Sequence, residues 1–145
     1  MKKKTFNFHG VISFITGTIL LWLIVIFFFF FPNFKTFYTP LNGAIVEEIL
    51  KFITVLILIS IIKMPPRFIL FLGLSFGISE GIWHFLAYDR FDVLPGLVHI
   101  LLASVMAVFF SLFQNSKYPL LRYVWLLSAF LVPASLHLFY NSLFI

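Results

Sequence analysis

The sequence contains no cysteine and little charge. Only 10% of its 145 residues are Asp, Glu, Lys or Arg, against about 25% in an average soluble domain. So few charged side chains cannot cover a folded core with a hydrated surface, which excludes a soluble enzyme, a nucleic-acid-binding protein and a disordered chain. The absence of cysteine excludes disulfide bonds, thiolate metal sites and a cysteine nucleophile.

Apolar residues dominate instead. They make up 62% of the chain, 22 of them are Phe, and the mean hydropathy is +1.11. A transmembrane helix needs about 20 apolar residues, and lipid offers no partner for unpaired backbone groups, so spanning segments must be helical. We predict one integral-membrane domain over residues 1–145, an all-α polytopic bundle of about five transmembrane helices. The predicted spans are 11–31, 41–62, 68–88, 94–113 and 120–144.

The basic residues predict the orientation of these spans. Lys2–Lys4 precede the first span, Lys63 and Arg67 follow the second, and Lys117 and Arg122 follow the fourth. Because positive residues favour the cytoplasmic side, the N-terminus is expected in the cytoplasm, and the two remaining, near-neutral connections are expected outside. The sequence therefore predicts a multi-pass protein of the cell membrane, in a bacterial cytoplasmic membrane. The lipid bilayer is an expected partner, and nucleic acid is not.

Several polar residues lie inside the predicted spans, where each ionisable group costs about 2.5–3.5 kcal/mol on insertion scales. Such residues usually face the interior of a bundle and mark a functional site. The second span contains Glu47, Glu48 and Lys51, the third Glu80 and His84, the fourth His99, and the fifth His137 and Asn141.

Their depths agree across four spans. At a rise of 1.5 Å per residue, Glu48, Glu80, His99 and His137 lie about 8–12 Å from the outer ends of their helices. This agreement predicts one polar chamber in the outer half of the membrane. A row of small residues, Gly73, Gly77 and Gly81, would let a neighbouring helix come close to Glu80.

Spacing along the second span indicates how its charges interact. Glu47 and Lys51 are four residues apart, and Lys51 is also three residues from Glu48, so that both carboxylates are within reach of one ammonium. One carboxylate can then stay charged beside Lys51 while the other is free to take a proton, as in an acid/base pair.

Three short motifs resemble a known superfamily of membrane proteases. Glu47-Glu48-x-x-Lys51 and Phe76-x-x-x-Glu80 resemble motifs of the PrsW family, and His137-x-x-x-Asn141 resembles the last motif of the related type II CAAX proteases, the CPBP or abortive-infection group. The chain departs from the CAAX pattern, which has Arg where Phe52 stands and His where Glu80 stands. Cleavage of prenylated proteins is therefore not expected.

The resemblance implies an intramembrane protease that hydrolyses a peptide bond of a membrane protein or a membrane-anchored peptide. It implies that Glu47 or Glu48 is the general base on water and that Glu80 positions the water or a metal. It further implies that His137 and Asn141 stabilise the oxyanion. The supporting residues are Lys51, Phe76 and His99.

Cofactor and function stay open at this point. Glu48, Glu80, His99 and His137 would form an oxygen and nitrogen site for zinc or another divalent metal, but a metal-free glutamate mechanism uses the same residues. A catalytically silent scaffold or bacteriocin-immunity protein of the same fold is one alternative function. A proton or ion relay is another, although the apolar inner halves of the helices disfavour it.

Overall fold

The structure is a computed structural model, and it describes residues 2–30, 40–89 and 93–143. These residues form five α-helices and one short 3-10 helix and contain no strand, which confirms the predicted all-α class. Of the predicted outer connections, 32–40 and 89–93, residues 32–39 and 90–92 lie outside the described residues. The helices are α1 (Lys2–Phe30), α2 (Pro40–Ser60), α3 (Ile69–Tyr88), α4 (Leu94–Asn115) and α5 (Pro119–Ser142), and the 3-10 helix is Pro66–Phe68.

Proline sets most of the helix starts. Pro40 and Pro119 are the first residues of α2 and α5, Pro95 is the second residue of α4, and Pro66 opens the 3-10 helix before α3. Proline has no N–H to donate and its φ suits the first helical turn, so it begins helices without cost. The one large departure from the predicted spans is α1, which begins at Lys2 rather than at residue 11, since no proline precedes the apolar run.

The order of the helices around the bundle differs from their order in the chain. Helix α3 packs against α1 and α4, α4 packs against α5, α5 packs against α2, and α2 also contacts α1. The order of the helices around the bundle is therefore α1, α3, α4, α5 and α2. Four of these helices, α2 to α5, carry Glu, Lys or His residues that face the enclosed interior.

The apolar core occupies one end of the bundle. It takes residues from the C-terminal half of α2, the N-terminal half of α3, the C-terminal half of α4 and the N-terminal half of α5, as expected for antiparallel neighbours. The buried or half-buried Glu and His residues of these helices lie in the opposite half, and Lys51 lies near the middle of α2. The buried members of this core are Val55, Leu58, Ile59, Met64, Phe68, Ile69, Leu72, Ala103, Met106, Ala107, Phe110 and Ala129.

The exterior of the bundle is also apolar. Exposed large hydrophobic residues occur on all five helices, and on α1 they form a stripe, Val11, Ile15, Ile19 and Leu23, at helical spacing. Among the described residues, three segments are long and apolar enough to cross a membrane: Pro66–Leu86, Leu94–Asn115 and Pro119–Ser142. Helix α2 is set apart from these segments by its three charged residues, and the described apolar part of α1, Phe8–Ile24, is shorter.

Glycines bring α3 close to its neighbours. A Cβ atom placed on Gly77 would lie 2.5 Å from the Cα of Gly96 in α4, and one on Gly73 would overlap Ala103 and the carbonyl group of His99. These distances require a bare backbone at both positions. The predicted small-residue row thus marks the contact between α3 and α4 and brings the backbone of α4 next to the helix that carries Glu80.

Alanine substitutions on the two sides of this contact, at Gly77 and at Gly96, should have different effects on stability. Gly77→Ala should destabilise the protein by about 1–3 kcal/mol, because the new methyl group meets a backbone that cannot yield. Gly96→Ala should be neutral or slightly stabilising, because its methyl group would lie 3.5 Å from the nearest atom of Gly77 and alanine is the better helix former. Thermal unfolding of both variants in detergent measures the difference, and equal losses of stability would contradict the contact.

Candidate functional site

Six polar residues from four helices meet inside the bundle, and we call them the polar cluster. Four of them are almost fully buried: Glu48 is 0% exposed, Lys51 and His99 are 2% and His137 is 4%. The other two are half-buried. The cluster consists of Glu47, Glu48 and Lys51 of α2, Glu80 of α3, His99 of α4 and His137 of α5.

Glu48 and Lys51 form its charged centre. The Lys51 Nζ atom donates to Glu48 Oε1 at 2.5 Å, and the same oxygen accepts a hydrogen bond from His137 Nδ1 at 3.0 Å. The ammonium also lies 4.4 Å from the centre of the Phe76 ring, over its negative face. A buried ion pair recovers the cost of desolvation only with good geometry and further partners. Here the partners converge on Oε1 of Glu48, whereas its Oε2 atom is buried without a hydrogen-bond partner.

Lys51 also contacts the first of the two buried imidazoles. Its Nζ lies 2.8 Å from His99 Nδ1, and His99 Nε2 lies 2.6 Å from Glu80 Oε2. An ammonium group has only donors, so Nδ1 of His99 must accept. In the neutral imidazole the proton is then on Nε2, which donates to the Glu80 carboxylate.

The second imidazole has the opposite arrangement. His137 donates from Nδ1 to Glu48, so that in the neutral ring Nε2 carries a lone pair. The ring is held at 87° to that of His99, with 5.2 Å between the ring centres, and His99 in turn packs edge-on to Phe76 at 4.7 Å. These contacts fix both rings and therefore the directions of their nitrogen atoms.

Glu47 faces both imidazoles. Its Oε2 atom lies 4.0 Å from His99 Nε2 and 4.0 Å from His137 Nε2. Its side chain is 13% exposed, whereas that of Glu48 is fully buried. The two neighbouring carboxylates thus have different surroundings: Glu48 is the partner of Lys51, and Glu47 borders the space between the two rings.

The structure also changes the set of residues that could hold a metal. One atom each of Glu47, His99 and His137 lie within 4.8 Å of one another. The sequence had suggested Glu48 and Glu80 with the two histidines. Glu48 instead bonds to Lys51 and His137, and Glu47 takes its place in the group.

The remaining predicted residues lie at the edge of the cluster. Asn141 follows His137 by one helical turn on the same side of α5 and is half-buried. His84 Nε2 lies 4.0 Å from Glu80 Oε1, and its side chain is 34% exposed. Phe76 is fully buried beneath Lys51 and His99.

No family model matches this chain, and neither a curated protein nor a solved structure matches it. The likeness to the PrsW and type II CAAX proteases therefore rests on the three short motifs alone and stays a prediction.

Proposed function

We propose that this protein is an intramembrane peptidase that hydrolyses a peptide bond of a membrane protein or membrane-anchored peptide. The observation that carries the proposal is the pair of acceptors formed by Glu47 Oε2 and His137 Nε2, 4.0 Å apart. A water molecule forms hydrogen bonds of about 2.7–2.8 Å, so one water between them can donate a hydrogen to each. The lone pairs of that water then point away from both residues, toward a substrate.

In this proposal Glu47 is the general base. It takes a proton from the water as the water oxygen bonds to the carbonyl carbon of the substrate, and it passes that proton to the amine nitrogen as the C–N bond breaks. His137 holds the water rather than stabilising the oxyanion, the role that the resemblance implied. Its Nε2 is an acceptor in the neutral ring, because Nδ1 donates to Glu48, which fixes the ring. Asn141, on the same side of α5, supplies an N–H donor for the oxyanion.

The surroundings of the cluster favour a membrane-associated substrate. The exterior of the bundle is apolar on every helix, and the cluster lies between helices rather than in an exposed loop. Glu47 and Glu80 are the members of the cluster that retain some exposure, 13% and 22% of their side chains. A peptide segment would therefore reach the site on the side that these two carboxylates border.

We further propose that all five helices cross the membrane, with the N-terminus in the cytoplasm and the cluster in the outer half. Lys63 and Lys117 are exposed in connections at the same end of the bundle, which suits the cytoplasmic face. Because the chain has no cysteine, single cysteines can report the orientation. Lys117→Cys should resist a membrane-impermeant maleimide in intact cells, whereas Val93→Cys, also at an exposed position, should react. The reverse pattern would overturn this orientation.

The function is tested by comparing the membrane proteomes of cells that carry the wild type, Glu47→Gln, His137→Ala or no copy of the gene. Asp89→Asn, a carboxylate-to-amide change in the exposed connection after α3, is the matched control. One membrane protein should accumulate uncut in both site variants and in the deletion, but not in the control. If the site variants match the wild type and only the deletion differs, the protein is a scaffold and not a peptidase.

A further inference from the structure

We propose that Lys51 keeps divalent metal ions out of the polar cluster, because it fixes the proton of His99 on the nitrogen that a metal would need. The inference concerns which ligands the cluster binds, so it holds whether or not the chain cleaves a peptide bond. It also separates two chemistries that the sequence leaves open, a metal-bound site and a metal-free one.

The spacing of the donors alone would suit a metal. Glu47, His99 and His137 supply one carboxylate and two imidazoles, a combination that is common at catalytic zinc sites. Ligands in a tetrahedral zinc site lie about 2.0–2.1 Å from the ion, and Glu47 Oε2 is 4.0 Å from each Nε2 atom. Shifts of under about 1 Å would close the three side chains around an ion at such distances.

The positions of the hydrogens on the two imidazole rings oppose metal binding. A metal binds a lone pair, and His137 Nε2 and Glu47 each offer one toward the shared space. His99 Nε2 does not, because it carries the hydrogen that is donated to Glu80 at 2.6 Å. To bind a metal, His99 would have to move this proton to Nδ1, where it would point at the Lys51 ammonium 2.8 Å away. Two donors would then face each other.

Lys51 cannot easily leave this position. Its ammonium is bonded to Glu48 at 2.5 Å and lies over the Phe76 ring, and its side chain is almost fully buried. Moving it away would leave the fully buried Glu48 carboxylate without its cation. The positive charge of Lys51 also repels any second cation beside His99. Two effects of one residue, the tautomer of His99 and the local charge, therefore act against metal binding.

The first test reads the tautomers in the wild-type protein. In protein labelled with ¹⁵N-histidine, the ring nitrogen shifts should show the proton of His99 on Nε2 and that of His137 on Nδ1. Replacement of each of the four histidines in turn assigns the signals. His99 with its proton on Nδ1 would overturn the proposal.

The second test measures metal binding directly. Lys51→Gln should raise the affinity for Zn²⁺ and Co²⁺ by about 10–100-fold, the size of the change in affinity that hydrogen-bond partners of metal ligands typically cause. The Gln side chain can donate its N–H to Glu48 and accept from Nδ1–H of His99, which frees Nε2. Lys117→Gln, an exposed lysine at the connection between α4 and α5, is the matched control and should leave affinity unchanged.

A second variant provides a test in case Lys51→Gln does not fold. Glu48→Gln/Lys51→Met removes both buried charges at once, so it leaves neither group unpaired, and it should gain metal affinity as Lys51→Gln does. The proposal is overturned if the wild type already binds one equivalent of Zn²⁺ as tightly as these variants do. It is equally overturned if folded Lys51→Gln and the double variant both fail to gain affinity. Cleavage by metal-stripped wild type would support it, but a lack of any cleavage would count only against the peptidase function.

Discussion

Glu47→Gln should lower the rate of peptide-bond cleavage by about 10²–10⁴-fold, the usual contribution of a general base. Gln has the same shape as Glu and still accepts a hydrogen bond from water, but it cannot take the proton. Glu47 is half-buried at the edge of the polar cluster and is not the carboxylate that compensates Lys51. The protein should therefore fold with nearly wild-type stability, and the loss should appear in the turnover number more than in KM.

The measurement uses purified protein in lipid vesicles and the substrate that the proteome comparison identifies. Asp89→Asn is again the control for the loss of one negative charge, and unfolding curves of each variant exclude a folding defect. If Glu47→Gln keeps its activity while folded Glu48→Gln loses it, the base is Glu48 and the proposed division of the two carboxylates is wrong. If neither change affects cleavage, the polar cluster is not the catalytic site.

The meeting of the polar residues could be expected from the sequence because two physical constraints act together. The cost of placing charge in lipid forces Glu48, Glu80, His99 and His137 toward the bundle interior, and the fixed rise of a helix sets their height. Residues at equal height on the inner faces of adjacent helices then have to lie close to one another. The small-residue row predicted a close helix contact for the same reason, and Gly73 and Gly77 provide it.

The different contacts of Glu47 and Glu48 could not be predicted from the sequence in the same way. Consecutive residues on a helix point about 100° apart, so the rotation of α2 decides which carboxylate faces the imidazoles and which faces Lys51. That rotation is set by packing against α5 and α1, and neither spacing nor composition encodes it. The sequence therefore indicated a pair of carboxylates with one counter-ion but left their roles interchangeable.

The hydrogen bond between Lys51 and His99 could not be predicted from the sequence for a related reason. The two residues are 48 positions apart, and a lysine side chain is long enough to reach several neighbours. Its nearest partners by spacing, Glu47 and Glu48, account for its charge without any third contact. Only the approach of α3 to α4 at Gly73, opposite the His99 carbonyl, fixes where the His99 ring lies, and the tautomer of His99 follows from that position.

Lys51→Met should cost about 3–5 kcal/mol of stability, because it leaves the fully buried Glu48 carboxylate without a cation. Glu48→Gln should cost a similar amount, since it leaves the buried ammonium without its anion. The double variant Glu48→Gln/Lys51→Met should recover most of the loss, because replacing both charges of a buried pair is often neutral or stabilising. Unfolding in detergent, analysed as a double-mutant cycle, measures the coupling, and Lys117→Met controls for the loss of an exposed lysine.

Losses that simply add in the double variant would mean that the two charges act independently and would contradict the ion pair. Recovery would show that the fold can do without the pair, and the pair would then have to be explained by the site. The single oxygen Oε1 of Glu48 holds His137 at Nδ1, and Lys51 holds His99 at Nδ1. Suppose that the double variant unfolds like the wild type but no longer keeps the two imidazoles in opposite tautomers. The ion pair would then serve to orient the imidazoles of the site, and the stability of the fold would not depend on it.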